Sequence, residues 1–216
     1  MRDTLFGDAP LASWTDVSPH TSALEPWSSF LRARQYLEED DVRHALKALR
    51  EIVEMPDLES RHYLEAWQSL RDLGENPSAA DAKNLLGVVV EVGMPDGGDL
   101  VAAYADHHAR YYNYSGAAVI WDSPDTSLDS YVDALLLAGR IVVQAIGPWE
   151  GSRPAAPKNG IARINLLTPS GLHFGEGPTD VLAKDKLGGP AINAALQLMR
   201  ELMHKVKSAP TAPPAS

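Results

Sequence analysis

The side chains best suited to chemistry in this sequence are two adjacent imidazoles beside a carboxylate, Asp106-His107-His108. Histidine titrates near neutral pH and ligates metals through a ring nitrogen. The trio, joined by His173 from a later segment, is therefore the set from which a metal-assisted hydrolase would be assembled. The competing reading is a hairpin turn, because Asp and His tolerate positive φ and adjacent side chains in a turn diverge. Turns are polar for backbone reasons alone, so the turn is preferred and the metal set Asp106, His107, His108 and His173 is the alternative.

A serine nucleophile needs an exposed hydroxyl on a strained turn, and Ser115-Gly116 and Ser170-Gly171 are the candidates. Neither lies in G-x-S-x-G, and both dipeptides are ordinary turn chemistry. Glu39-Asp40-Asp41 falls at a helix start, where acids suit the positive end of the helix dipole. Trp149-Glu150-Gly151 and Phe174-Gly175-Glu176-Gly177-Pro178 let backbone approach something closely, and packing of one loop on another is the preferred reading. His44 and His62 are placed on helix surfaces. The sequence has no cysteine, which excludes disulfides, thiolate metal sites and a nucleophilic thiol together. No Gly-rich dinucleotide fingerprint follows a strand and no P-loop is present, so no cofactor is expected.

The elements that must position these groups follow from periodicity. Residues 1–23 read as an extended arm, rich in Pro, Ser, Thr and Asp, whose Leu5, Phe6, Leu11 and Trp14 have no period; its apolar residues are candidates to dock onto the folded body, since a wholly disordered segment seldom carries Phe6 and Trp14, but residues 1 to about 20 are expected to be dispensable for folding. Residues 24–85 form a helical unit of three members. Trp27, Phe30 and Leu31 lead the first, Ala45, Leu46, Leu49 and Ile52 mark the second, and Tyr63, Leu64, Trp67 and Leu70 mark the third, with Gly74 as its C-cap. Residues 86–207 form a sheet domain. GVVVEVG, LVAAYA, ARYYNY and AAVIW make an antiparallel meander, and IARINLL with LHFGEG makes a hairpin around Thr168-Pro169-Ser170-Gly171. Between them an almost wholly apolar helix, LDSYVDALLLAGRIVVQAIG, opens at a Thr126 N-cap and buries itself against the sheet. A last helix runs from Pro190 to Val206, and residues 208–216 are a disordered Pro/Ala tail. Strands, helix, hairpin, helix gives an α+β fold: an N-terminal three-helix unit, then a meander plus hairpin with helices packed on one face.

From Gly87 to Gly177 the strings VVVEVG, LVAAYADHHARYYNYSGAAVIWD, IGPWEG and LTPSGLHFGEGP resemble a family of uncharacterised bacterial proteins, over somewhat under half of the chain. In that family the first hairpin carries an Asp-Gly type turn where this sequence has Asp106-His107-His108. The resemblance implies bacterial origin and a shared fold, and it carries over no activity and no site residue.

A formal charge of −10 with scattered basic residues opposes binding of nucleic acid, and no apolar stretch approaches a membrane span. With no secretory signal at the start, a cytoplasmic location is expected. No constellation of nucleophile, base and oxyanion donor can be assembled. The expected function is therefore a non-enzymatic binding, adaptor or regulatory module recognising a protein or a small ligand. Two-residue turns at His107-His108 and Ser115-Gly116 would set Tyr112 opposite Val119 and Arg110 opposite Trp121, gathering Arg110, Tyr112, Tyr114 and Trp121 on one face as the binding surface.

Overall fold

The computed structural model describes residues 2–122 and 125–208. The first segment is a 3-10 turn, Arg2–Leu5, followed by two single-turn helices, α1 (Leu11–Trp14) and α2 (Pro19–Ser22). Three longer helices follow where the apolar period places them: α3 (Trp27–Glu38), α4 (Val42–Glu54) and α5 (Ser60–Asp72). Their shared core is Phe30, Ala33, Leu49, Ile52, Ala66 and Leu70, all fully buried. Asp41 caps α4 by accepting a hydrogen bond from the His44 amide at 3.1 Å. Gly74, at φ 85°, ends α5 by turning its own amide and that of Glu75 back onto the carbonyls of Arg71 and Leu70.

The sheet contains β1 (Gly87–Met94), β2 (Gly97–Tyr104), β3 (Ala109–Tyr112), β4 (Ala118–Trp121), β5 (Ile161–Thr168) and β6 (Gly171–Pro178), in the order β4-β3-β2-β1-β5-β6 with every neighbour antiparallel. α6 (Asp129–Ala145) links the meander to β5, and α7 (Thr179–Leu182) and α8 (Gly189–Ser208) follow the hairpin. The architecture is α+β, with helices before and after an antiparallel sheet. Among the described residues no helix is long and apolar enough to cross a membrane. The expected disordered tail lies, from residue 209, outside the described residues; Ser208 closes α8.

One sheet face is covered by α6 and α8. Val88, Val90, Val101, Tyr111, Ile164 and Leu166 pack there against Val132, Leu135, Val143 and Leu198. A Cβ on Gly139 of α6 would stand 2.7 Å from Val88 Cγ2, so the absent side chain sets how closely the helix approaches β1. Two details depart from expectation. α6 begins at Asp129 behind Leu128 with no side-chain cap, because Thr126 lies too far upstream, and its outward face leaves Leu137 and Ile141 more than half exposed.

The opposite face is covered as well, and by the segment expected to be an extended, dispensable arm. Leu5 and Phe6 are buried with Leu64 of α5 against Val89, Ala102, Tyr104 and Leu167, and the Tyr104 hydroxyl donates to the Leu5 carbonyl at 2.7 Å. The arm folds because the sheet demands a partner for Glu91, a carboxylate 2 % exposed in mid-strand on this face. Arg2 grips it as a fork, Nε to Oε1 at 2.5 Å and Nη2 to Oε2 at 3.1 Å. Asn165 donates to Oε2 at 3.0 Å, and Arg163 Nη1 stands 3.5 Å away. Arg163 in turn donates from Nε to Glu176 at 2.7 Å and from Nη1 to the Ala155 carbonyl at 2.8 Å, while Arg2 Nη2 reaches the Pro154 carbonyl at 2.9 Å. The network thus pins both residues 2–8 and the 147–160 loop to the sheet.

A charge left buried without its partner costs about 3–5 kcal/mol, to which the loss of Leu5 and Phe6 adds. Deleting residues 1–8 is therefore expected to lower the urea midpoint and the melting temperature by many degrees. A truncated protein that melts with the full-length chain would contradict this assignment.

Candidate functional site

The Asp106-His107-His108 segment forms a turn, one residue longer than expected. The Tyr104 amide donates to the His108 carbonyl and the His107 amide to the Tyr104 carbonyl, both at 3.0 Å, so the loop is residues 105–107 with His107 at φ 62°. The next hairpin repeats the geometry: Asn113 pairs with Ala117, and Gly116 takes the left-handed position at φ 86°. Three-residue loops built from a type I turn and one left-handed residue do this, and each added residue flips the following strand. Leu100 consequently faces Tyr112, Ala102 faces Arg110 and Ala109 faces Trp121.

The four residues expected to share a surface are therefore divided. Arg110 is buried on the Glu91 face and locked by Asp122 at 2.6 Å and by the Trp121 and Ala109 carbonyls. Tyr112 lies on the same face, half-buried against the cluster around Tyr104. Tyr114 is exposed in the second loop, with its amide held by Asp99 at 2.9 Å. Trp121 is on the other face, against the α6–α8 core, with Lys205 Nζ 5.2 Å from its ring.

The histidines do not converge either. Asp106 Oδ2 accepts from the Ser60 amide at 2.6 Å and the Asp106 amide donates to Ser60 Oγ at 3.2 Å, so the aspartate is the N-terminal cap that α5 lacks in its own sequence. His107 turns to Asp133 at 3.1 Å, and His108 Nδ1 stands 3.6 Å from Asp106. His173 is on β6, three strands from β2 and hence about 14 Å across the sheet. Among the described residues no group of three His, Asp or Glu side chains is placed to hold a metal.

Neither serine is poised for attack. Ser115 donates to Asn113 Oδ1 at 2.8 Å in its exposed turn. Ser170 Oγ donates to the Ala82 carbonyl at 2.6 Å, which leaves the His173 ring, 3.2 Å away, as a donor to that oxygen instead of its base. Burial holds the His173 imidazole below the usual histidine range. His62 is no surface residue: it is buried edge-on to Trp27, with ring centroids 5.1 Å apart, and burial lowers its pKa also. The Trp149 and Phe174 segments do pack on one another, edge to face at 5.3 Å, and Gly151 gives the Trp149 indole room to fold back onto the Ser152 carbonyl.

Charged groups converge elsewhere, where α5 meets residues 6–8, the 148–153 loop and the β5–β6 turn around a cavity of about 530 Å³. Arg71, Gln68 and Asp72 of α5 form one wall. Asp8 and Arg153 form another, joined at 2.5 Å and 3.2 Å, with the Arg153 guanidinium 4.3 Å from the centre of the Phe6 ring. Gly7 makes the approach possible: at φ 58°, a Cβ there would lie 2.6 Å from Leu64 Cβ. Asp8, Gln68 and Asp72 also border a second cavity of about 320 Å³, lined further by Leu11, Leu37 and Glu65. Glu65 is 1 % exposed and neither carboxylate oxygen has a hydrogen-bond partner among the described residues. Burial, then the nearby charges of Asp8 and Asp72, push its pKa up to about 8. A carboxyl that is largely protonated at neutral pH beside a cavity marks a functional-site candidate.

Periodicity missed this cleft because α5 is buried on two sides, by α3 and α4 and by the sheet, which one apolar stripe does not reveal. The one available signal was Glu65 itself, an acid set between Leu64 and Ala66 in the apolar track of the helix.

Removing the Asp106 cap by Asp106→Ala is expected to cost about 1–2 kcal/mol in urea unfolding, more than His107→Ala or His108→Ala. Either histidine variant proving the more damaging would contradict the capping role. No protein-family model, curated protein or solved structure matches the chain, so its own geometry is the ground for a functional reading.

Proposed function

We propose that this chain is a cytoplasmic, non-enzymatic binding module that takes a small carboxylate-bearing ligand into the cleft between α5 and the β5–β6 turn. Arg71 is the observation that carries the reading. Its Nη1 donates to the Pro169 carbonyl and its Nη2 to Gln68 Oε1 at 2.6 Å, and it has no ion-pair partner among the described residues. A guanidinium has five N–H donors, so most of its donors remain for a ligand. A forked guanidinium suits a carboxylate, and burial, which pulls the Arg71 pKa below the ordinary arginine range, makes an anion at this point more valuable than it would be in water. Gly171 leaves space beside Nε, where a Cβ would stand in van der Waals contact with that nitrogen at 3.7 Å. Trp149 supplies an apolar wall beside these donors. A binding role fits better than catalysis because the hydroxyl and the carboxylate nearest Arg153 and the β5–β6 turn are engaged within the protein: Ser170 with Ala82, and Asp8 with Arg153.

Hexanoate is the probe. Titration followed by amide NMR shifts is expected to give saturable changes at Gln68 and Gly171, and Arg71→Met should weaken binding at least tenfold while Arg71→Lys retains part of it. Unsaturable or absent shifts in the native protein, or undiminished binding by a folded Arg71→Met variant, would contradict the proposal.

A further inference from the structure

The structure assigns a second half to this site: we infer that Glu65, in the cavity behind Arg71, receives an ammonium group of the same ligand, which is thus a molecule with a carboxylate at one end and an alkylammonium at the other. The inference rests on the carboxylate reading and adds the cation.

Geometry gives its first support. Glu65 and Arg71 lie on one helix, six residues apart, which is about 9 Å along the axis and about 120° around it, with Gln68 midway between them; the two cavities they border meet at Asp8, Gln68 and Asp72. A flexible ω-amino carboxylate laid over Gln68 would place one end in each cavity. Leu11 and Leu37 supply apolar surface for its methylenes, while Glu65, Asp8 and Asp72 supply negative charge for its head.

The second support is the state of Glu65. A buried carboxyl with neither oxygen bonded is costly, and natural interiors rarely keep one without a use. The charged groups facing it are Asp8, from the N-terminal segment and held by Arg153 of the 147–160 loop, and Asp72 of α5 itself; both raise its proton affinity. An ammonium group reverses this. It pairs with the carboxylate form, so the neutral acid gives its proton to solvent as the ion pair forms, and charge balances as acid plus ammonium going to carboxylate–ammonium pair plus one proton. Below pH 8 binding of the cation is therefore coupled to proton release and strengthens as pH rises.

Calorimetric titration at pH 7 in phosphate and in Tris, whose ionisation heats differ, reads both affinity and protons. 6-Aminohexanoate is expected to bind at least tenfold tighter than hexanoate and to release most of one proton. Glu65→Gln should abolish both the preference and the release while leaving hexanoate binding intact. This variant removes an ionisable group that has no hydrogen-bond partner among the described residues, so it should melt no lower than the native protein. Hexanoate bound through Arg71 with 6-aminohexanoate no tighter and no proton released would overturn the Glu65 subsite and leave the carboxylate reading standing. Conversely, 6-aminohexanoate and pentylamine bound through Glu65 with proton release, but no hexanoate binding, would uphold the subsite and overturn the carboxylate reading. Binding of none of the three would overturn both.

Discussion

A carboxylate in the middle of a sheet face cannot be left in an apolar layer, and Glu91 occupies that position on β1. Its desolvation has to be offset by cations that come to it, and two do: Arg163 from the adjacent strand and Arg2 from the other end of the chain. Each brings backbone along. Arg2 carries Leu5 and Phe6 onto the sheet, and the carbonyls of Pro154 and Ala155, which accept from Arg2 and Arg163, fix the long loop before β5. Phe6 then lies under Arg153, and Asp8 is delivered to the same arginine. Two walls of the cleft are thus consequences of one buried charge on the neighbouring strand β1, which is how the identity of residue 91 reaches the site.

The third wall is α5, and its position is set from both ends. Asp106 holds the helix start from the β2–β3 turn, and Arg71 ties its last turn to the Pro169 carbonyl in the β5–β6 turn. A helix clamped in this way between its neighbours and the sheet buries residues around much of its circumference. Glu65 and His62 are both interior for that reason, and both have their charged forms disfavoured by burial. The opposite directions of the two shifts have one cause: the carboxyl is raised and the imidazole lowered because each is kept neutral.

Much of the fold was legible because it was local. Apolar spacing located α3, α4 and α5; Pro169 at a turn position closed the last hairpin; a β-branched run marked β1. The register of the meander was not legible. His107 and Gly116 each occupy the left-handed end of a three-residue loop, and nothing in the letters separates that loop from a two-residue one, so Arg110 and Tyr112 fell on the wrong face while Trp121, after two compensating slips, returned to the face of Val101. The role of Asp106 was hidden for a different reason: it caps a helix 46 positions away, a contact no window of sequence contains. Docking of the arm through Phe6 was open from its letters, but what fixes Leu5 and Phe6 was not, because their burial rests on Glu91 and Arg153, again far along the chain. The cleft inherits all of these long-range contacts, and was therefore invisible.

The central claim is that the Arg2–Glu91 pair holds the N-terminal segment on the sheet. The direct measurement is a double-mutant cycle of Arg2→Met and Glu91→Leu in urea unfolding. Coupling of about 2 kcal/mol or more is expected, with Arg2→Met alone strongly destabilising and the double variant recovering part of the loss, since an apolar pair leaves no charge stranded. Single effects that add to within about 0.5 kcal/mol would contradict the account.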